Sequence, residues 1–499
     1  MKISGEMANH GRMLIVCAVE LLLSPLAPAQ DSFAERSVYF ATHFRNWYEE
    51  ASDEEVTRYV EELTEWGLNG VGAWFDMHDF SGMDDDGAKR RLARIKLIFR
   101  TAKRLGLRRD LLFLANESFG GSPPELRADW QAGRNGYVSN LAGHYHVELC
   151  PSKPGATELL LKWRSRVFSA FKDAPPTEIT IFPYDQGGCT CGDCAPWGAN
   201  GFLKLAQKLS TLAKATFPGV RVNLSTWRFD AFGDLHEWDG VFARGAEIAK
   251  WADRLYVAPN DLPRVRESSP GGLPVFSTSE ISMQGMLPWG GYGANPMPMR
   301  LQREIADNPN LLGLRPYSEG VYEDLNKVVA LEMLRNPKKS ALDAVGDYAA
   351  RYFGEATRES VKEAVRLMEE NMEHTANAVQ GEMRRTSYAL DAVDASKPWT
   401  LSHAVPKLDA AKARKAKDLI DEAERMMEVP RRASWRFRIL RLRADIDCAL
   451  ANGSGECELE PLFSELADIY HVSSVTPPWL VPPSKPLWRK VGHLWKTCL

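Results

Sequence analysis

Past residue 29 the chain contains no run of about 18 uncharged apolar residues, the least a helix needs to cross a bilayer, so no membrane span is expected. Neither charge predominates. The 62 Lys and Arg stand against 66 Asp and Glu, a formal net charge of −4, which leaves no basic footprint and excludes nucleic acid as an expected partner. Histidine is sparse at ten residues, and His43, His78, His144 and His146 lack the spacing of a metal triad. No internal repeat is visible beyond an alternation of short apolar runs with helix-like stretches.

What is present is an ordinary globular composition, 44% hydrophobic over 499 residues, enough for one barrel-sized domain and a smaller second one. Aromatics are plentiful, with 15 Trp, and exposed rings are what proteins lay against the apolar faces of sugars. At the N-terminus Lys2 and Arg12 precede an apolar stretch from Met13 to Leu26, and Ala27-Pro28-Ala29 supplies a small-x-small site. This reads as a secretory signal cleaved near Ala29, giving a secreted or periplasmic protein.

Between residues 37 and 320, eight short apolar runs end at Tyr39/Thr42/His43, Trp74/Asp76, Asn116/Glu117, Tyr184/Asp185, Thr226/Trp227, Tyr256/Asn260, Ser279/Glu280 and Tyr317/Glu319. Leu111 to Ala115, Glu178 to Phe182, Arg221 to Ser225, Arg254 to Ala258 and Pro274 to Thr278 are apolar or β-branched and bounded by turn residues, as strands buried on both faces of a parallel sheet are. Thr57 to Gly67, Lys89 to Gly106 and Ala156 to Lys172 carry apolar residues at helical spacing. The alternation predicts an α/β protein, a (β/α)8 TIM barrel, whose chemistry belongs where strands end and βα loops begin. After Glu319 the period is helical, over Leu325 to Tyr352, Glu359 to Ala376, Asp409 to Met427 and Ser434 to Ala451, with the charge runs expected on solvated faces. The expected organisation is a signal peptide 1–29, a catalytic barrel 30–330, an α-helical C-terminal domain 331–470 and an irregular Pro- and Trp-rich tail 471–499.

Cys189, Cys191 and Cys194 form C-x-C-x-x-C after the fourth strand, and Cys150 lies in the loop region after the third. Both loops open on the same face, so four thiols can converge. Two readings stand side by side: a closed structural zinc site, or disulfides, which an oxidising exterior favours. Cys448 and Cys457 can pair around a short loop, leaving Cys498 odd.

Glycosidic cleavage needs one carboxylic acid to protonate the leaving oxygen and a second carboxylate as nucleophile or base on the other side of the sugar. Strand ends on opposite walls of a barrel supply that separation. Asp185, Glu280 and Glu319 are the catalytic candidates, at the ends of strands four, seven and eight. The structural alternative for each is a helix cap or an ion pair with a neighbour such as Arg315. Asp76 and Glu117, with Asp79, are expected to bond sugar hydroxyls or loop backbone. Trp74, Tyr184, Trp227 and Tyr317, with Trp289 and Tyr292 on a glycine-rich loop, are the expected substrate-binding rings.

The segments YDQGGCTCGDC, SEISMQGMLPWGGYGANP and YSEGVYEDLNK, followed by NPKKSALDAVGDYAARYFG, resemble bacterial exported glycoside hydrolases of the hexosaminidase-like barrel group. That group includes the family 20 β-N-acetylhexosaminidases and related endo-β-N-acetylglucosaminidases with a CxCxxC loop; the resemblance covers about residues 37–355. In the family 20 pattern an Asp-Glu pair ends strand four, the acid protonating the leaving group and its neighbour orienting the acetamido group. Here Asp185 is followed by Gln186, a departure from the pattern that carries substrate-assisted chemistry and an N-acetylated substrate. The resemblance implies a secreted glycoside hydrolase with a carbohydrate substrate and no cofactor for catalysis. A carbohydrate-binding barrel without catalysis, or another sugar enzyme such as a lyase or epimerase, is the alternative on the same scaffold.

Overall fold

The computed structural model describes residues 32–42, 47–139, 146–185, 187–279, 281, 295–317, 323–371 and 408–454, with isolated positions between 458 and 469. The stretches expected as signal and tail lie outside the described residues, as do Cys17, Cys457 and Cys498. Eight parallel strands close into a barrel in chain order: β1 (Glu35–Tyr39), β2 (Gly70–Trp74), β3 (Arg108–Leu114), β4 (Glu178–Phe182), β5 (Arg221–Ser225), β6 (Arg254–Val257), β7 (Val275–Ser277) and β8 (Gly313–Leu314). The expected (β/α)8 fold is the observed one. Helices Asp53–Glu65, Asp86–Arg104, Ala156–Ala170, Gly201–Thr216 and Pro298–Asp307 form the outer layer, while β6 and β7 are joined through the four-residue helix Leu262–Val265 and short turns.

Helix Asp53–Glu65 starts earlier than its apolar period indicates, because Ser52 and Glu55 make a reciprocal capping box. The stretch expected to be helical from Leu325 to Tyr352 is two helices, Asp324–Arg335 and Ala341–Tyr352. Asn336-Pro337 cannot continue the first, and Ser340 caps the second by accepting from the Asp343 N–H. Helix Asp324–Arg335 packs against β1 and β8 and completes the barrel, so it runs across the boundary expected at residue 330.

The C-terminal helices Ala410–Met426 and Trp435–Ala451 share one hydrophobic core with the barrel. Solvated faces do not account for all of their charge. Arg436, Arg443 and Asp447 are buried, with Arg436 donating to Asp324 at 2.7 Å and Arg443 to Asp447 at 2.7 Å. Tyr59 and Tyr348 also donate to Asp324, at 2.6 and 2.7 Å, so this carboxylate joins three helices. A buried guanidinium needs such a partner, or its desolvation is uncompensated.

The lower end of the barrel is filled with charge instead of the branched aliphatic layers usual there. Register places Asp110 of β3 beside Glu178 of β4, and Glu35 of β1 beside Gly313 of β8. Arg315, just past β8, turns inward to donate to Asp110 at 2.6 Å, to Ser37 at 2.9 Å and to Glu35 at 3.4 Å, with Glu178 at 3.7 Å. Arg108, Arg221 and Arg254 complete the set from the rim. Burial alone would push the Arg315 guanidinium down, but Asp110, Glu35 and Glu178 outweigh it and hold it above its ordinary value. Glycine is required at position 313, whose φ is +139° and where a Cβ would lie 1.9 Å from the Glu35 carbonyl oxygen.

Replacing Arg315 by Met leaves three buried carboxylates facing only the rim arginines Arg108, Arg221 and Arg254, none of which is paired with Asp110. The expected result is a loss of about 3 to 5 kcal/mol in urea unfolding. A loss under about 1 kcal/mol would show that the network does not support the barrel.

Candidate active site

Above the charged layer lies a row of rings. Trp74 stands 5.0 Å from Phe182, Phe182 lies 5.4 Å from Tyr256, and Tyr256 lies 5.0 Å from Phe276. Tyr39 and Tyr317, from β1 and the segment after β8, stack at 4.9 Å. These rings come from strand ends around the barrel and form a floor on its C-terminal side. Trp74 is half-buried, and its Nε1–H is shielded from water without a partner among the described residues. An orphan donor in an aromatic mouth is a feature that a bound oxygen would resolve.

Asp185 follows Phe182 of this row by three residues, just past β4, and is half-buried with no side-chain partner among the described residues. Its φ is +138°, a conformation that costs a non-glycine residue of order 1–3 kcal/mol. Arg228, Asp230 and His236 in the loop after β5 also adopt positive φ, at 60°, 58° and 54°. Asn135 and His146 in the loop after β3 do so too, at 49° and 52°, so the positive-φ non-glycine residues among the described residues lie in the loops after β3, β4 and β5.

Other expected ligands are occupied elsewhere. Glu117 is fully buried: Oε1 accepts from the Met77 N–H at 2.7 Å and lies 3.1 Å from His78 Nδ1, while Oε2 accepts from Arg164 at 3.1 Å. Asp76 is buried and accepts from Arg91 at 2.8 Å, and Arg91 also donates to Asp79 at 3.0 Å. Asp76 and Glu117 therefore brace the loops after β2 and β3 and do not present their oxygens to a sugar. Donor atoms of Asp76, His78 and Glu117 lie within 4.8 Å of one another, but Arg91 and Arg164 already neutralise the two carboxylates.

Tyr184, expected at the substrate, is likewise buried. Its hydroxyl donates to Glu237 Oε1 at 2.6 Å, and Glu237 Oε2 accepts from the Asp230 N–H at 2.9 Å. Burial pushes the Glu237 carboxyl up to about 7. Tyr137 extends the chain, with its hydroxyl 3.1 Å from that of Tyr184 and accepting from the Trp197 N–H at 2.9 Å. Of the remaining expected rings, Trp227 and Tyr317 are half-buried at the mouth. Glu280, Glu319, Trp289, Tyr292, His43 and His144 lie outside the described residues.

The four thiols do converge. Cys150 Sγ lies 3.7 Å from Cys191 Sγ and 3.8 Å from Cys194 Sγ, and all four sulfurs lie within 4.8 Å of one another. These cysteines are free, at separations far beyond an S–S bond of about 2.05 Å, and the cluster is arranged so that it could hold a metal ion. Asn116 locks the same two loops together: its amide donates to the carbonyls of Leu149 and Gly188 and accepts from the Gly188 N–H at 3.1 Å. A cavity of about 370 Å3 opens at the opposite rim of the barrel, but its lining of Arg109, Lys172, Thr177, Phe217 and prolines contains no carboxylate.

No family model matches the chain, and no curated protein matches it. Among solved structures it resembles a GH138 enzyme targeting pectin rhamnogalacturonan II, with TM-score 0.53 and 11% identity over 87% of this chain and 59% of that one. The chain thus spans less than two thirds of that protein's length. A mutant of the Thermobaculum terrenum O-GlcNAc hydrolase aligns with TM-score 0.50 and 11% identity over 87% of this chain and 84% of that one. These likenesses establish a shared barrel fold.

Burial alone would push the His78 imidazole down, but the bond to Glu117 and the charges of Asp76 and Asp79 hold it up at about 9. In the unfolded chain it titrates near 6.5, so its contribution to stability is complete below that pH and is lost as pH rises through about 9. Urea unfolding is expected to weaken by on the order of 2 kcal/mol between those values, and His78→Gln to flatten that decline. An unchanged slope in the variant would remove His78 from the charged network.

Proposed function

We propose that this protein is a glycoside hydrolase, exported to act on a polysaccharide or glycan by two-carboxylate chemistry. The observation that carries the reading is Asp185, a half-buried carboxyl in a strained backbone conformation, three residues past Phe182, which belongs to the row of rings at the strand ends. The similar folds of an enzyme targeting pectin and of an O-GlcNAc hydrolase support the same reading. Aromatic faces bind the apolar faces of pyranose rings, and the unpaired Trp74 Nε1–H offers a donor to a sugar oxygen.

In this reading Asp185, or Glu319 after β8, protonates the glycosidic oxygen as its bond to the anomeric carbon breaks. Glu280, after β7, attacks that carbon or takes a proton from the attacking water. Strands β4 and β7 are separated by two others around the ring, a spacing compatible with an acid and a nucleophile on different walls. Trp74, Trp227 and Tyr317, with Trp289 and Tyr292, line the sugar subsites. Gln186 in place of a second acid directs the choice towards substrates without a participating acetamido group. The carboxylates suffice for the reaction, and no cofactor enters it.

The test is hydrolysis of a panel of aryl glycosides and natural glycans by the wild type and by Asp185→Asn, Glu280→Gln and Glu319→Gln. Loss of a general acid is expected to lower turnover of unactivated glycans by about 10²–10⁴-fold. Aryl glycosides with good leaving groups should lose much less in the acid variant and heavily in the Glu280 variant. Near-normal rates in all three variants would place the chemistry elsewhere.

A further inference from the structure

The four thiols connect two loops that the fold already brings to the active face. Cys150 follows Leu149 in the loop after β3, while Cys189, Cys191 and Cys194 follow Asp185 in the loop after β4. A zinc ion with Zn–S bonds of about 2.3 Å requires its four sulfurs about 3.8 Å apart, the edge of a tetrahedron of that radius. Two of the six edges, from Cys150 to Cys191 and to Cys194, measure 3.7 and 3.8 Å, and the remaining sulfur pairs lie within 4.8 Å, close enough to settle onto one ion. Donors also point at the sulfurs, as thiolate ligands need: the Asp129 N–H lies 3.5 Å from Cys189 Sγ, and Ser152 Oγ lies 2.9 Å from Cys150 Sγ and 3.5 Å from Cys191 Sγ. Three of the four cysteines are buried, which closes the site to a catalytic water.

The position of this cluster matters for Asp185. A residue at φ +138° persists only where its surroundings over-determine it. Three residues separate Asp185 from Cys189, and two of them are glycines, which cannot by themselves hold a fixed path. On the strand side Asp185 is tied through Tyr184 to Glu237. On the other side the anchors are the Asn116 amide at Gly188 and the cysteine cluster. Gly187 itself packs so closely on Asn116 that a Cβ would come within 2.8 Å of its Oδ1.

We propose that Cys150, Cys189, Cys191 and Cys194 bind one Zn²⁺ as a tetrathiolate, and that this ion is the positioning device fixing the Asp185 loop at the barrel mouth. Zinc suits the task because it has no redox chemistry and accepts tetrahedral sulfur without an open position. The metal site stands on sulfur geometry alone; its bearing on catalysis rests on the reading of Asp185 above.

The experiment uses the full chain purified without chelators. Elemental analysis is expected to find about one zinc per chain. Replacement by Co²⁺ should give the intense sulfur-to-cobalt absorption of tetrahedral thiolate coordination. Cys150→Ser and Cys191→Ser should each lower zinc affinity by at least about tenfold. Hydrogen exchange of the segment 183–194 should be slow with zinc bound and fast after chelation, a readout that needs no substrate. Once a substrate is known, chelation should lower kcat more than it raises KM. Absence of metal, iron in place of zinc, or two disulfides seen as unreactive thiols and a reduced intact mass would overturn the metal site. Unchanged exchange of 183–194 on zinc removal would overturn the positioning role and leave the hydrolase reading to its own test.

Discussion

Arg315 reaches from the end of β8 into the barrel interior and meets acids of β1, β3 and β4, so one guanidinium ties the β8–β1 seam to the β3–β4 pair across the barrel. The closing strand needs this. β8 is two residues long, pairing with β1 through Glu35 and Arg36 and with β7 through Ser277, so backbone bonding at the seam is sparse. Burying such a network is not in itself strongly stabilising, because desolvation offsets much of the attraction. Its value lies in register. A slip of one residue in β8 would turn Arg315 out of the interior and strand three carboxylates without their shared cation.

Everything above that layer inherits its position. The Arg315 guanidinium carbon lies 4.9 Å from the Phe276 ring centre and 5.8 Å from that of Tyr256, so the cation supports the aromatic floor from below. The same rings face the mouth on their other side. Charge, then rings, then the strained loops form successive tiers along the barrel axis.

Much of this was legible in the chain. The eight strand ends, the helical C-terminal region and the meeting of Cys150 with the C-x-C-x-x-C loop follow from period, turn residues and the rule that βα loops share one face. The division of labour among the acids was not. Asp76, Glu117 and Asp185 look alike at strand ends, yet the first two are engaged by Arg91 and Arg164 on the buried faces of their helices. That signal is present in retrospect: Arg91 falls in the stripe of Ala88, Ile95 and Ile98, and Arg164 in that of Leu160, Val167 and Phe168. An arginine in an apolar stripe demands a buried acid, and the nearest strand ends supply one. Glu237 carried no such signal, because its partners Tyr184 and Gly198 are set by loop geometry alone. The role of Asn116 was hidden for the same reason.

A shared barrel at 11% identity says little about chemistry, since the fold is satisfied by many sequences and function is set by what stands at the mouth. The mouth here separates into frame and face. The frame is the set of buried polar groups paired with one another: Glu117 with Arg164 and His78, Asp76 with Arg91, Glu237 with Tyr184, and Asn116 with two carbonyls. The face is what remains, Asp185 and the half-buried rings. Polar groups already paired in this way need not reorganise as charge develops nearby, the condition under which a positioned carboxyl is most effective. Strain at Asp185 is then the consequence of tethering the residue from both sides so that its carboxyl has nowhere else to go.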